Sequence, residues 1–254
     1  MMKSSSSSSS SDSEGEWVDS QDYGSASYWE SYYFHNAAQT GTETEWYAPL
    51  AAFRALVPEP AALGRSSARC STAAGGGDSR SAKGQQLQTL VLGCGNSQLS
   101  MHLRDAGYGH ITSVDISEVC VSQARAKYGA DGSQQLSFEV ADVRDMRALF
   151  SDASFDLVVD KATLDAVFIA TGTDAGASSY QQEFDSVDRL LFEVRRVLAP
   201  GGVFISLSHM DRADFFFGTK TQPPPTILTE LELESQPSSS SQGCVVAIHC
   251  MSMR

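Results

Sequence analysis

Apolar and polar positions come in blocks along this 254-residue chain, and from position 87 the blocks keep a regular order. Residues 87–92 form a short apolar run, the length of one buried strand. Residues 96–106 follow with helical spacing. A second apolar run covers 111–116, and 117–128 is helical again, with Ser117 placed to cap its first turn. Residues 136–141 alternate as a strand does. Residues 155–160, Phe-Asp-Leu-Val-Val-Asp, are apolar through the middle, as a strand covered on both faces should be. Val187, Leu190, Leu191, Val194, Val197 and Leu198 share one helical face that stops at Pro200-Gly201-Gly202. Residues 203–207 make one more strand. Strands alternating with helices predict an α/β fold: a mostly parallel, twisted sheet with right-handed crossovers and helices on both faces.

The ends follow other patterns. Residues 226–234 alternate, 244–251 are apolar and 235–242 between them are polar, which predicts a C-terminal antiparallel hairpin over 226–251. Residues 1–22 are serine-rich and acidic with few apolar groups, a composition that predicts disorder. Residues 23–58 carry Tyr23, Tyr28, Trp29, Tyr32, Tyr33, Phe34, Trp46, Tyr47 and Phe53. Trp29 and Tyr33, four apart, can pack a helix onto the sheet. Aromatic faces also suit a cation, so the same segment can fold over a site as a lid. Residues 64–86, rich in Ser, Ala and Gly, read as a flexible insertion and not a boundary. Residues 23–254 are therefore read as one domain with its ligand-binding core at 87–210.

Composition narrows the function. No apolar window of about 18 residues occurs, so no membrane is expected as partner. The N-terminus is neither a secretory signal nor a basic transit peptide, which makes the cytoplasm the expected compartment. The five cysteines form no C-x-x-C pair, so neither a metal site nor a disulfide framework is expected. A net charge of −13 works against nucleic acid and favours a basic target.

The first strand runs into Gly93-Cys94-Gly95-Asn96-Ser97. Glycines let a backbone approach a ligand closely, and the amides behind them face a helix N-terminus. A lone G-x-G is a common strand-to-helix turn. Two carboxylates sharpen it. Asp115 closes the second strand about 20 residues on, where a carboxylate accepts ribose hydroxyls, and Asp142 follows the third strand on the same edge. The third glycine of a dinucleotide fingerprint is missing, since Gln98 stands there, and no phosphate loop of the G-x-x-x-x-G-K type exists. S-adenosylmethionine carries no phosphate, so two glycines suffice for it, and the reading tilts to this methyl donor. At the end of the fourth strand, Asp160-Lys161-Ala162-Thr163-Leu164-Asp165-Ala166 lies where an acceptor would enter. Asp160 and Lys161 can frame the donor's methionine end or the acceptor; read equally well, Lys161 is a solvated strand end and Asp165 a residue of the following helix.

These segments together resemble the eukaryotic elongation factor 1A lysine methyltransferases and their methyltransferase-like relatives. The resemblance is carried by Tyr28-Trp29-Glu30 with Tyr33, Glu45-Trp46-Tyr47, the Gly93–Ser97 turn, Ser113-Val114-Asp115-Ile116-Ser117, Asp142-Val143-Arg144-Asp145, the Asp160–Ala166 stretch and 196–206. It implies a Rossmann-like class I methyltransferase fold, S-adenosylmethionine as donor with S-adenosylhomocysteine as product, and a protein lysine on a translation factor such as elongation factor 1A as acceptor. It further implies that Trp29, Tyr33 and Trp46 line the donor, and that Gly93 and Gly95 approach its methionine part. Asp115 and Ile116 would hold ribose and adenine, Asp142 and Val143 the adenine edge, and Lys161 the amino-acid end. Asp160 and Asp165 are the candidates for orienting the acceptor amine. Ala162 stands where the family commonly has glycine, and the chain after Met210 does not resemble the family's usual ending. The expected state is a monomer. A small-molecule methyltransferase and a non-catalytic binding protein of the same fold are the rival readings, and Gln98 makes a dehydrogenase the least expected.

Overall fold

The computed structural model describes residues 23–40, 44–46, 57, 59–63, 86–129, 134–169 and 178–208, and the backbone of 226–234 and 245–252. Side chains are described for neither 37–40 nor 178–184. The serine-rich stretch 1–22, most of the 64–86 insertion, Tyr47, Phe53 and residues 209–225 and 235–244 lie outside the described residues.

Five parallel strands carry the core: β1 (Gln88–Leu92), β2 (His110–Asp115), β3 (Leu136–Val140), β4 (Phe155–Lys161) and β5 (Leu198–Ser208). Between them run α3 (Leu99–Asp105), α4 (Glu118–Tyr128), α5 (Thr163–Ile169) and α6 (Ser178–Val197); α1 (Ala26–Thr40) and the short α2 (Pro60–Leu63) precede β1. The backbone of β6 (Thr226–Glu234) and β7 (Val245–Ser252) extends the sheet beyond β5 in antiparallel pairing, in the order β3-β2-β1-β4-β5-β7-β6.

Side chains alternate across each strand, so a strand apolar throughout needs cover on both faces. Val91, Ile111, Leu157, Val159 and Ile205 enter one apolar cluster, and Leu90, Leu92, Val114, Val158 and Phe204 enter the other. Helix α6 supplies Val187, Leu190, Leu191, Val194 and Val197 to the second, the face read from the sequence. Because β1 pairs with β2 on one side and β4 on the other, Leu92, Asp115 and Lys161 end at one edge of the sheet. The order reverses there, and open α/β sheets bind ligands at such an edge.

Two boundaries differ from the sequence expectation. The helix expected at 96–106 begins only at Leu99, because Ser97 and Gln98 are engaged by Glu45. The strand expected at 203–207 begins at Leu198, and Pro200-Gly201-Gly202 lies inside it as an irregularity opposite Phe155 and Leu157. The helix ends at Val197, Pro200 cannot continue it, and Gly201 at φ +78° turns the chain inside the strand, so the pairing with β4 shifts register before it resumes at Val203.

Ala162 has φ +75°, the left-handed region that costs a side-chain-bearing residue about 1 kcal/mol or more. Glycine at this position would relieve that strain. Ala162→Gly is expected to leave the melting temperature unchanged or raise it by a few degrees in a thermal melt, since its greater freedom when unfolded offsets part of the gain.

Candidate functional site

A cavity of about 320 Å³ opens at the edge where β1, β2 and β4 end, within the size range of small-molecule sites. Trp29, Tyr33, Trp46, Gly93, Gly95, Asp115, Ile116, Asp142, Val143 and Lys161 all line it, together with Cys94, Arg144, Thr163 and Asp165. Residues from position 23 to position 169 thus meet at one surface.

The floor is the glycine turn. Gly93 and Gly95 take φ +56° and +52°. A Cβ on Gly93 would lie 2.0 Å from Thr163 Oγ1, so this glycine makes room for Thr163, whose hydroxyl donates to the Leu92 carbonyl at 2.9 Å. A Cβ on Gly95 would lie 2.8 Å from the Tyr33 hydroxyl. Gly95 is the point where the aromatic segment comes down on the turn.

Asp115 ties the turn to the second strand. Its Oδ2 accepts from Gly95 N at 2.9 Å and its Oδ1 from Ser117 N at 3.0 Å. A carboxylate has about four acceptor positions; these amides take two, the buried Cys120 thiol takes a third, and what remains is left for a ligand. Burial raises the Asp115 carboxyl above its ordinary value, against the pull of the Ser117 and Gly95 amides. Asp142 sits in a different field. Burial works to raise it, but bonds from Arg144 to both oxygens outweigh this and leave it below the ordinary value.

The aromatic segment is held down by two glutamates that received no role from the sequence. Glu30 of α1 accepts from Ser117 Oγ at 2.9 Å, Glu118 N at 2.6 Å and Val119 N at 3.0 Å, and so caps α4 across 87 to 89 residues of sequence. Ser117 meanwhile caps the same helix locally, accepting from Cys120 N, as its position predicted. Glu45 accepts from Ser97 Oγ and Gln98 N at the start of α3, and Lys161 Nζ stands 3.1 Å from its Oε2. Unsatisfied amides and the helix dipole favour a carboxylate at both places. Trp29 and Tyr33 stack at 5.8 Å between these anchors, and Trp46 stands at the rim, 40% exposed. Tyr-Trp-Glu and Glu-Trp-Tyr drew attention through their aromatics; nothing in their spacing points to distant helix ends.

Replacing Glu30 with alanine leaves those α4 donors short of their partner. The expected result is a loss of about 1–2 kcal/mol of stability, read as a lower urea midpoint, with α1 loosened from the cavity.

The two candidate acidic residues, Asp160 near the end of β4 and Asp165 in α5, separate. Asp165 lines the cavity and accepts from Ser208 Oγ at 2.6 Å. Asp160, read from the sequence as framing the site, is fully buried beneath it. Its oxygens accept from Thr163 N, Leu164 N and Ser206 Oγ, so it shapes the turn from β4 into α5. Burial pushes its carboxyl up to about 7, against the Ser206 hydrogen bond and aided by Asp165. A carboxyl raised on folding holds its proton more tightly in the folded chain. Its contribution is therefore most favourable below the ordinary carboxylate range and is lost as pH rises towards 7. The wild-type chain should lose on the order of 3–4 kcal/mol relative to Asp160→Asn between pH 4 and pH 8 in urea titrations. Equal pH slopes for the two proteins would remove Asp160 as the titrating group.

The residues fit an adenosine-bearing sulfonium donor. Asp115 offers carboxylate acceptors beside backbone that has no room for a side chain, and aromatic faces of Trp29 and Tyr33 border the cavity. An α/β sheet with this turn, this carboxylate and this aromatic cover defines a class I methyltransferase, with S-adenosylmethionine as its cofactor. The chain belongs to the methyltransferase domain family, whose model matches residues 83–245. It is 46% identical over 121 residues to the eEF1A lysine and N-terminal methyltransferase of Homo sapiens, which is 48% of this chain and 16% of that protein. It is 36% identical over 186 residues to EEF1A lysine methyltransferase 4 of Mus musculus, 73% of this chain and 61% of that protein. The chain therefore spans less than two thirds of the length of these curated relatives. Among the described residues no helix is long and apolar enough to cross a membrane.

Proposed function

We propose that this protein transfers a methyl group from S-adenosylmethionine to a lysine of a translation factor, with eEF1A as the first substrate to test. The observation that carries the reading is the cavity that joins the glycine turn, Asp115 and the aromatic segment, in a chain whose relatives are named for methylation of eEF1A.

The bound donor supplies a methyl group already activated by a positively charged sulfur. In this reading Asp115 accepts the ribose hydroxyls, Asp142 and Val143 border the adenine, and Trp29, Tyr33 and Trp46 exclude water. Lys161, paired with Glu45, sets a positive charge near the donor's carboxylate end. Lysine has an ordinary pKa of about 10.4, so freeing its amine near pH 7 costs roughly 4–5 kcal/mol. A dry channel lowers that cost by disfavouring the ammonium. Asp165, at the cavity wall, orients the incoming amine. Strongly acidic overall charge draws a basic target surface. The reaction is placed in the cytoplasm, with the chain acting as a monomer.

The test is transfer of labelled methyl to purified eEF1A and, separately, to a cell extract, with Asp115→Ala as control. A labelled eEF1A band that the control lacks supports the proposal. A band at another mass keeps the enzyme class and discards this substrate. Donor binding without transfer to any macromolecule points to a small-molecule acceptor.

A further inference from the structure

A buried cluster of two thiols and a carboxylate lies behind the glycine turn. Cys94 is the middle residue of that turn, Asp115 closes β2, and Cys120 stands in the first turn of α4. One ligand atom from each, the two Sγ and a carboxylate oxygen, lies within 4.8 Å of the others. The three residues are only 5%, 5% and 2% exposed. Each is fixed by backbone. Cys94 N donates to Val114 O at 2.9 Å, Asp115 accepts from two amides, and Cys120 N donates to Ser117 Oγ. Cys94 and Asp115 also line the cavity, so the cluster has an entry path.

We propose that Cys94, Cys120 and Asp115 form a binding site for a zinc-class divalent cation, with its fourth coordination position open to the cavity. Thiolate sulfur binds zinc at about 2.3 Å and carboxylate oxygen at about 2.0–2.2 Å, which places tetrahedral ligands on the order of 3.5–4 Å apart. Ligand atoms already within 4.8 Å of one another need to close by about 1 Å to reach that spacing. Binding is an exchange with no change of oxidation state: one dication enters, the Cys94 and Cys120 thiols release their two protons to solvent and with them the hydrogen bonds they make to each other and to Asp115, and the carboxylate coordinates through the lone pair the Cys120 thiol gives up. Two thiolates and a carboxylate suit zinc, cobalt or cadmium and not magnesium or calcium, which want oxygen ligands.

The consequence rests on the reading of Asp115 as the ribose acceptor. An ion on Asp115 occupies the carboxylate that the donor needs, and draws Cys94 and the glycine turn towards α4. Cation and donor then exclude each other, and the site acts as a brake on methyl transfer set by free zinc.

The probe is cobalt(II) added to the full-length reduced protein without donor. A thiolate-to-cobalt charge-transfer absorption that saturates at one ion per chain, and that zinc bleaches, is expected. Cys120→Ala and Cys94→Ser should each abolish it, with melting curves confirming that the variants fold. A chain with Cys70, Cys244 and Cys250 replaced by serine should keep it. Absence of the band in the reduced wild-type protein, or its survival in folded Cys120→Ala, overturns the site. S-adenosylhomocysteine should displace cobalt and weaken its apparent affinity at least tenfold; a band that persists with product bound overturns the competition. Because the band is read without turnover, its failure is distinct from a failure of the methyltransferase reading.

Discussion

Asp115→Ala is expected to lower affinity for S-adenosylhomocysteine by roughly 100-fold or more while leaving a folded protein. The carboxylate already accepts from Gly95 N and Ser117 N, and it lines the cavity. A hydrogen bond to a charged group contributes about 1.5–3 kcal/mol. Losing two ribose hydroxyl contacts therefore removes roughly 3–5 kcal/mol of binding, or about 10² to 10⁴ in Kd. Alanine also releases the glycine turn from β2, which adds to the loss. Asp115→Asn keeps one side-chain acceptor and should fall between. Calorimetric titration of wild type and both variants checks this. A Kd for Asp115→Ala within threefold of wild type would place the ribose elsewhere and remove the main support for the site.

Gly93→Ala should be the most damaging change to stability among the cavity residues. A methyl there meets Thr163 Oγ1 at 2.0 Å and Cγ2 at 2.9 Å, while φ +56° is strained for any side chain. Overpacking costs about 1–3 kcal/mol and the left-handed backbone about 1–2 more. To yield, Thr163 must give up its bond to the Leu92 carbonyl. The total, roughly 3–5 kcal/mol, corresponds to a fall in Tm of about 10 °C or more for a chain of this size. The double variant Gly93→Ala/Thr163→Ala should recover the steric part but not the backbone part, giving a coupling of about 1 kcal/mol or more between neighbours. Gly95→Ala makes the contrast. Its new methyl meets only the Tyr33 hydroxyl, at 2.8 Å, the far end of a side chain that can turn aside. Its φ of +52° carries the same backbone cost of about 1–2 kcal/mol, so stability should fall by less than in Gly93→Ala while donor affinity also suffers. A Tm for Gly93→Ala within 2 °C of wild type would show that Thr163 has room to move.

Much of the scaffold was legible because it is written in local periods. The apolar runs at 87–92, 111–116 and 155–160 are strands since only a strand covered on both faces can bury every side chain. Ser117 is a cap by its own chemistry, one residue before α4. The glycine turn and Asp115 were visible because a strand-end ligand site needs small residues after one strand and a carboxylate after the next. The helix α3 starts three residues later than its sequence predicts, and part of the reason is not local: the amide of its N-cap residue, Gln98, is held by Glu45, 53 residues earlier. Asp160 and Asp165 looked alike in the sequence, five positions apart on either side of a turn. Only the path of that turn decides that one faces the cavity while the other is sealed under it by Thr163, Leu164 and Ser206.

The sequence by itself determined the alternation of elements, the α/β class, the edge where a ligand binds and the phosphate-free character of its glycine turn. Each follows from residues close together, where side-chain size and spacing act directly on the backbone. Tertiary structure alone decided which charges meet. Glu30 reaches the N-terminus of α4, and Glu45 divides its carboxylate between α3 and Lys161. It also brought Cys94 and Cys120 together with Asp115, although no C-x-x-C pair predicted a metal site. The physical reason is the parallel sheet. Each crossover carries the chain through a helix and back to the same edge, so side chains far apart in sequence share a few ångströms, and no local pattern records which of them will face each other.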